Sequence, residues 1–312
     1  MSHTLPVPSD SRETLCLGGD AAVRGLFCSS AVRVTQFRCL NDGDGLRTQR
    51  QQPWPVLTVE FQGIAEVLSG RRRFVIDPMH AVAHAADTPY ATLHPWGCHC
   101  RGCSFSVRPD IAAEVFAPRL RVLARHQSPT PQSIRLSNAD LLYSRRVFRA
   151  LLSPAADPLE IEESILHWLA SVGRDRETRL PSNTLRWETQ LQHRRLVTRA
   201  RGFLAKHHRQ RLHLDDLAQA LHSSAPHIAR VFRRETGLTV HRYLTQVRLL
   251  GVLDDVVDGA DDLSSLALER GFSSHSHMTA AFHREFGMTP SDWRAVSKPR
   301  ANELRRRIQA KG

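Results

Sequence analysis

The chain has 312 residues, a mass of 35.2 kDa, 41% apolar and 24% charged residues, and a formal net charge of +12. At roughly 100–200 residues per domain the length predicts two domains, and the composition excludes a mostly disordered or collagen-like chain. No apolar run approaches the ~20 residues of a membrane span, and the N-terminus lacks the pattern of a secretion signal. We therefore expect a cytoplasmic protein with no membrane partner.

The positive charge is concentrated towards the C-terminus. Residues 190–312 hold 21 Lys and Arg against 12 Asp and Glu, a net of +9, whereas residues 1–189 hold 22 against 19, a net of +3. Such a surplus indicates a polyanionic partner, of which nucleic acid is the first candidate. General arginine richness is the alternative, since 40 of the 43 basic residues are Arg, but it does not explain why one region holds the excess.

The predicted elements change from strands to helices along the chain. Residues 1–30 are expected to be irregular. Residues 31–108 contain short runs rich in Val, Phe and Leu between Gly, Pro and Asp, which predicts a small antiparallel sandwich or barrel. Helical spacing follows at 137–153 and 158–173. The polar segment 174–186 is predicted to be a linker, and nearly all of the chain after it has helical spacing.

All six cysteines lie before residue 104, and three of them form a cluster with two histidines. The cluster consists of His94, Cys98, His99, Cys100 and Cys103. The C-x2-C spacing lets one turn deliver two thiolates to a tetrahedral ion, and mixed sulfur and nitrogen ligands favour zinc. Two alternatives stay open, namely thiols without a specific role and a thiol redox switch.

Two stretches of the C-terminal region resemble each other, residues 217–244 and 266–294. Three pairs of identical residues recur 50 positions apart: Phe232 with Phe282, Glu235 with Glu285, and Gly237 with Gly287. In each copy a Ser can cap a second helix, apolar residues recur at spacings of three and four, and Gly suits the left-handed position after that helix. This pattern predicts two helix–turn–helix units.

A single connecting helix is predicted between the copies, over residues 240–257. Its 18 residues would span about 27 Å, close to one DNA turn of about 34 Å once the offsets of the recognition helices are added. One chain could therefore read two successive major grooves. Gly251 lies inside this helix, where glycine is unfavourable by roughly 1 kcal/mol relative to alanine.

The region 190–295 resembles the DNA-binding domain of the AraC/XylS family of bacterial transcription regulators, and GFSSHSHMTAAFHREFGMTPSDWR in the second copy is its most specific part. The resemblance implies an α+β protein. Residues 1–173 would form a β-rich, cupin-like sensing or dimerising domain with trailing helices. After the linker, residues 187–295 would form an all-α DNA-binding domain with two helix–turn–helix units, followed by a basic tail over 296–312.

In that family, exposed positions near the start of each recognition helix read bases. The matching positions here are Pro226, Ala229 and Arg230 in the first copy, and His275, Ser276, Thr279 and Ala280 in the second. Arg230 can pair with both acceptors of a guanine, whereas the two alanines can only touch a thymine methyl. Phosphate contacts are expected from Arg233, Arg234, His283 and Arg284. The alternative for each of these residues is a solvated helix face.

The leading interpretation is a one-component transcription regulator without enzymatic activity. Its N-terminal domain would respond to an unknown small-molecule or redox effector, and its C-terminal domain would hold promoter or operator DNA and recruit or block RNA polymerase. A homodimer stays open. The alternative is a DNA alkylation-repair protein whose zinc-bound cysteine accepts a methyl group from DNA phosphate. That class uses two cysteine pairs, whereas only the 98–103 cluster and Cys39 are available here.

Overall fold

The structure is a computed structural model that describes residues 14–17, 21–39, 48–50, 52–70, 72–94, 96–97, 99–116, 120–124, 131–154, 156–174 and 187–297. Its strands are β1 (Thr14–Leu17), β2 (Ala21–Cys28), β3 (Val32–Cys39), β4 (Thr48–Arg50), β5 (Val56–Gln62), β6 (Ala65–Ser69), β7 (Arg72–Ile76), β8 (His80–His84), β9 (Tyr90–Leu93), β10 (Arg101–Val107) and β11 (Gln132–Arg135). Its helices are α1 (Pro109–Val115), α2 (Arg121–Ala124), α3 (Asn138–Leu152), α4 (Pro158–Ser171), α5 (Trp187–His207), α6 (Leu214–Leu221), α7 (Ala225–Thr236), α8 (Val240–Asp258), α9 (Leu263–Glu269), α10 (His275–Phe286) and α11 (Pro290–Ser297).

Two antiparallel sheets form the N-terminal part. The larger has seven strands in the order β1-β2-β3-β10-β5-β8-β11, and the smaller has four in the order β4-β9-β6-β7. The β-rich fold predicted over 31–108 is confirmed. The expectation of an irregular segment over 1–30 was wrong, because β2 pairs with β3 from Ala21 to Cys28. A register shift between Gly25 and Phe27 interrupts the alternation of β2, which is why the period of two was not visible in the sequence.

The two faces of the larger sheet have different chemistry. One face is apolar and packs under α3 and α4, with Phe105 of β10 set edge-on against Trp168 of α4 at 4.9 Å between ring centroids. The opposite face is more polar: Ser104 of β10 and Thr58 of β5 share a hydrogen bond of 3.1 Å. His84 of β8 stacks on Tyr90 of the smaller sheet at 4.1 Å. The smaller sheet therefore covers a partly polar interior.

The helices of the C-terminal region continue the same hydrophobic core. Helix α8 lies at its centre, and α11 is fixed to it by Trp293, whose indole N–H donates to the Leu253 carbonyl at 3.1 Å. Buried side chains of the larger sheet and of α8 belong to one continuous cluster. Residues 175–186 of the predicted linker and 298–312 of the predicted tail lie outside the described residues, so the domain boundaries stay predictions. Among the described helices, none combines the length and the apolar character that a membrane crossing requires.

Candidate nucleic-acid interface

The first helix–turn–helix unit consists of α6, a short turn and α7. Helix α7 begins where the Ser224 hydroxyl accepts a hydrogen bond from the His227 amide at 3.4 Å, and it ends at Gly237, whose φ of 74° is left-handed. Its buried side chains are Ile228, Val231, Phe232 and Thr236. The cap, the stop and the apolar stripe predicted for this unit are confirmed.

The opposite face of α7 is open and basic. Pro226, Arg230 and Arg233 are exposed, and Ala229 between them is half-buried. Within the described residues, the guanidinium groups of Arg230 and Arg233 make no hydrogen bond or ion pair. Both groups are therefore available to a base edge or a phosphate.

Arg234, which was grouped with Arg233 for phosphate contact, has different surroundings. Its side chain is half-buried and contacts the imidazole of His193 in α5 and the carboxylate of Glu235. Arg234 thus joins α7 to α5, and its predicted phosphate contact stays a prediction.

The second unit, α9 and α10, repeats this construction. The Ser274 hydroxyl accepts a hydrogen bond from the His277 amide at 3.1 Å, and Gly287 ends α10 with a φ of 73°. The buried residues of α10 are Met278, Ala281, Phe282 and Phe286. The N-cap of α9 is Asp262, whose pKa is lowered by hydrogen bonds from the Ser265 hydroxyl and two backbone amides. Both predicted units therefore exist.

The outward face of α10 carries smaller and more neutral groups than that of α7. His275, Ser276, Ala280, His283 and Arg284 are exposed, and Thr279 is half-buried. The Thr279 hydroxyl lies 3.3 Å from His275 Nε2, so the imidazole is held over the first turn of the helix. The outward faces of α7 and α10 therefore differ in hydrogen-bonding capacity.

Helix α8 is a spacer of 19 residues, about 28 Å, between the two units. Arg248 in its middle is buried and donates to the carbonyls of His208 and Gln210 at 2.7 and 2.8 Å, and burial lowers the pKa of its guanidinium. Gly251 follows it, and a Cβ at this position would lie 2.6 Å from Nη1 of Arg270. Glycine at this position therefore leaves room for the Arg270 side chain to cross α8.

The N-terminal part binds α8 through a buried aspartate. Asp77 is completely buried; it accepts hydrogen bonds from the Tyr243 hydroxyl at 2.9 Å and from His80 at 2.7 Å, and it lies 3.5 Å from Arg201 of α5. Burial alone would raise the pKa of Asp77, but the charges of His80 and Arg201, with the hydrogen bonds from His80 and Tyr243, hold it well below its ordinary value. Asp77 thus stays ionised and joins the two parts of the chain.

Helix α3 makes a second set of contacts along one of its faces, through Asn138, Arg145 and Arg149. Arg145 donates to Asp254 of α8 at 2.7 Å, and Arg149 contacts the Val257 carbonyl. Burial raises the pKa of Asp254, against the lowering effect of Arg145 and Arg101. These contacts join α3 to α8.

The end of the second recognition helix is part of the same interface. The side-chain amide of Asn138 donates to the Glu285 carbonyl at 2.6 Å, and that of Gln246 donates to the Glu285 carboxylate, also at 2.6 Å. Helix α7, by contrast, makes no hydrogen bond or ion pair with described residues before 187. Sequence reasoning missed these contacts, because nothing local marks a pair of residues that lie 39 or 147 positions apart.

The cysteine–histidine cluster is only partly brought together. Cys100 is buried in a second, smaller apolar cluster that also includes Ile64 and Tyr90. Its Sγ lies 3.3 Å from His94 Nδ1 and 3.3 Å from the Ile64 carbonyl. Cys103 lies in the main core, where burial raises the pKa of its thiol, and His99 is exposed. Cys98 lies outside the described residues, and the described members form no group of three ligands. The zinc site stays a prediction.

The region that contains both helix–turn–helix units and the connecting helix α8 also matches known proteins. Residues 217–295 match the family model described as a helix-turn-helix domain. The melibiose operon regulatory protein of Escherichia coli is 30% identical over 104 residues, which cover 33% of this chain and 34% of that protein. The HTH-type transcriptional activator RhaR of Salmonella arizonae is 33% identical over 84 residues, which cover 27% and 30%. The matched region thus spans about a third of these curated relatives.

Among solved structures, a Chromobacterium violaceum transcriptional regulator described as having an AraC-type DNA-binding domain is 22% identical. The likeness covers 34% of this chain and 96% of that one, with a TM-score of 0.33. ToxT from Vibrio cholerae is 8% identical over 86% of this chain and 99% of its own, also with a TM-score of 0.33.

Two capped helix–turn–helix units on one connecting helix define a double helix–turn–helix DNA-binding domain. The match to the helix-turn-helix model and to two regulators confirms the predicted resemblance to AraC/XylS regulators for the C-terminal region.

Proposed function

We propose that the whole chain is a one-component transcription regulator that binds promoter or operator DNA with both recognition helices. The observation that carries the proposal is the pair of exposed faces on α7 and α10, which the single helix α8 connects. Double-stranded DNA suits the free guanidinium groups of Arg230 and Arg233, since arginine recognises both guanine edges and phosphates. The two curated relatives are themselves named as an operon regulatory protein and a transcriptional activator.

In this proposal the two units contribute differently. Arg230 reads a guanine from α7, and Arg233 neutralises a phosphate beside it. From α10, His275 and Thr279 make single hydrogen bonds, Ser276 and Arg284 contact the backbone, and Ala280 touches a thymine methyl. The first half-site therefore supplies most of the sequence specificity.

The N-terminal part is proposed to sense a signal between its two sheets. Support comes from the polar face of the larger sheet, where Thr58, Ser104 and His84 point towards the smaller sheet. Both ring nitrogens of His84 are buried, and neither has a hydrogen-bond partner in the described part of the chain. Buried polar atoms are normally satisfied, so a small polar effector is a natural partner. Oxidation of the 98–103 cluster is the alternative signal.

The remaining partners follow from this role. A regulator held at a promoter would act through RNA polymerase in the cytoplasm, without enzymatic activity, and either as a monomer or as a homodimer. The methyl-acceptor alternative gains no support from the geometry, because Cys100 and Cys103 are buried in different clusters. A stoichiometric transfer assay with phosphate-methylated DNA separates the two functions.

The experiment that tests the proposal is genome-wide mapping of bound sites with the full chain and with Arg230→Ala in parallel. A shared motif upstream of genes, weakened in the variant, is the expected result. Binding spread evenly over the genome, without a motif, would contradict sequence-specific regulation.

A further inference from the structure

A cleft of about 650 Å³ runs beside the first recognition helix. It is bounded by the end of α5, the segment before α6, one side of α6, the exposed face of α7 and the start of α8. This volume lies within the range of roughly 300–1,000 Å³ that is usual for small-molecule sites. DNA contacts by α7 alone do not require such a cavity.

The floor of the cleft is apolar. Leu204, Leu217 and Leu244 are buried at its base, and Leu212 and Val240 are half-buried towards its opening. These side chains come from four different segments, so the cleft is formed by the packing of the unit rather than by a single loop. Such a floor accepts an alkyl or aryl group, since burial of apolar surface is favourable by about 25 cal/mol per Å².

The rim of the cleft is basic. Arg230 and Arg233 of α7 lie along one side. The exposed His213 lies just before α6, and the exposed His241 lies at the start of α8. The lining contains no Asp or Glu. Because the two guanidinium groups have no partner within the described residues, they can bind a carboxylate through paired, charge-assisted hydrogen bonds.

We propose that this cleft is an effector site for an apolar carboxylate, which places its hydrocarbon or aryl body on the leucine floor and its anionic group against Arg230 and Arg233. The effect of the carboxylate on DNA binding rests on the proposed function, since that function assigns the same two arginines to DNA. Carboxylate and DNA then exclude each other, and each weakens the binding of the other by the same factor.

The second unit provides an internal comparison. At the positions equivalent to Arg230 and Arg233, 50 residues further along, it has Ala280 and His283. The pair of unpartnered guanidinium groups is therefore a property of the first unit. Carboxylate binding is expected at one site per chain.

The test is calorimetric titration of the full chain with biphenylcarboxylate and, separately, with the uncharged biphenylcarboxamide. Arg233→Ala is matched by Arg284→Ala, which removes the same charge from the other recognition helix. Leu212→Gln is matched by Leu268→Gln, at a leucine that is 62% exposed on α9. Thermal melting of each variant verifies that it is folded.

We expect the carboxylate to bind with a stoichiometry near one, and the carboxamide to bind more weakly. Arg233→Ala should weaken carboxylate binding by about tenfold or more, since a hydrogen bond to a charged group is worth about that factor. Leu212→Gln should also weaken it, because a polar side chain replaces part of the apolar floor. The two control variants should match the wild type. No binding, or an equal loss in Arg233→Ala and Arg284→Ala, overturns the site.

The DNA part is measured separately, by fluorescence anisotropy with a duplex taken from the genome-wide mapping. The carboxylate should raise the apparent Kd of wild-type protein for DNA and should leave that of Leu212→Gln unchanged. Carboxylate binding without this shift overturns the mutual exclusion. If the chain binds no duplex at all, the proposed function fails, while the calorimetry still decides whether the cleft binds a carboxylate.

Discussion

Arg230 and Arg234 lie four positions apart on the same helix, yet only one of them is free to leave the protein surface. Arg234 is held by His193 and Glu235, whereas Arg230 has no partner among the described residues. At the residue scale, the assignment of a basic side chain to DNA therefore depends on its neighbours as much as on its position. Arg233, which is also free, provides the appropriate comparison.

Arg230→Ala is expected to cost about 1–3 kcal/mol on the specific site and to relax the preference at one or two base pairs, because a bidentate contact with guanine is lost. Arg233→Ala should weaken binding to all sequences alike and reduce the salt dependence of binding by the contribution of about one phosphate contact. Anisotropy titrations against the operator and its single-base variants measure both effects. A uniform loss with Arg230→Ala would show that its role was assigned wrongly.

His84 gives the stability of the protein a defined pH dependence. Burial lowers its pKa from 6.5 to about 3. As the pH falls below about 6.5, the unfolded chain takes up a proton at this residue, whereas the folded chain does so only near pH 3. The unfolded state then binds more protons, so the free energy of unfolding falls by up to about 1.4 kcal/mol per pH unit.

Replacement of His84 by Phe should remove this contribution. The free energy of unfolding of wild type, minus that of His84→Phe, should become smaller as the pH is lowered from about 6.5 to about 4.5. Denaturant titrations at several pH values measure it, with the exposed His283→Phe as a control. Ionised Asp77 stabilises the folded state, and this contribution is lost only as the pH falls below the ordinary aspartate pKa near 3.8. Parallel curves for wild type and His84→Phe would contradict the buried, neutral imidazole.

Helix α8 shows how an element can depend on a residue that looks unfavourable in isolation. Gly251 lies inside it, where alanine is ordinarily better by roughly 1 kcal/mol. Arg270 crosses the helix at this point and is held in place by Asp255, to which it donates from both Nε and Nη2. Because Arg270 is buried and bound, it cannot move aside easily for a methyl group.

Gly251→Ala is therefore expected to lower the free energy of unfolding instead of raising it. In an Arg270→Ala background the sign should reverse, and Gly251→Ala should stabilise by up to about 1 kcal/mol. Thermal or denaturant melts of the four proteins complete this double-mutant cycle. Additive effects in the two backgrounds would mean that the crossing of Arg270 is not the reason for the glycine.

The elements and their ends could be predicted from the sequence to the extent that they depend on local chemistry. Ser224 and Ser274 as caps, and Gly237 and Gly287 as stops, follow from backbone requirements that neighbouring residues satisfy. The β2 strand was missed because a bulge broke its alternation. The base-reading and zinc roles stay predictions.

Other contacts could not be predicted because they join distant segments. Tyr243 and Asp77 lie 166 positions apart, and neither residue type is unusual in its own segment. The role of Gly251 likewise depends on where Arg270 lies after folding.

At the scale of the whole molecule, the fixed length of α8 predicts the spacing of the DNA sites. A spacer of about 28 Å, with the offsets of the two recognition helices, matches one turn of B-DNA. DNase footprints of the full chain should show two protected segments on one face, about 10–11 base pairs apart. Insertion of about half a turn between the segments should prevent simultaneous binding of both units. Protection of one groove alone in the uninterrupted site would contradict the spacing.

Glu285 gives the molecule an asymmetry between its two half-sites. The end of α10 is held by Asn138, which belongs to the same part of the chain as the two sheets, whereas α7 has no such bond in the described residues. A displacement of α3 therefore reaches the second recognition helix directly. The first recognition helix is connected to the N-terminal part through α8 and through α5, whose Arg201 lies 3.5 Å from Asp77. Signals that move α3 would consequently change affinity for the second half-site most. Promoters could then differ in their response to one effector according to how tightly their second half-site binds α10. The binding of the effector itself would be the same at every promoter.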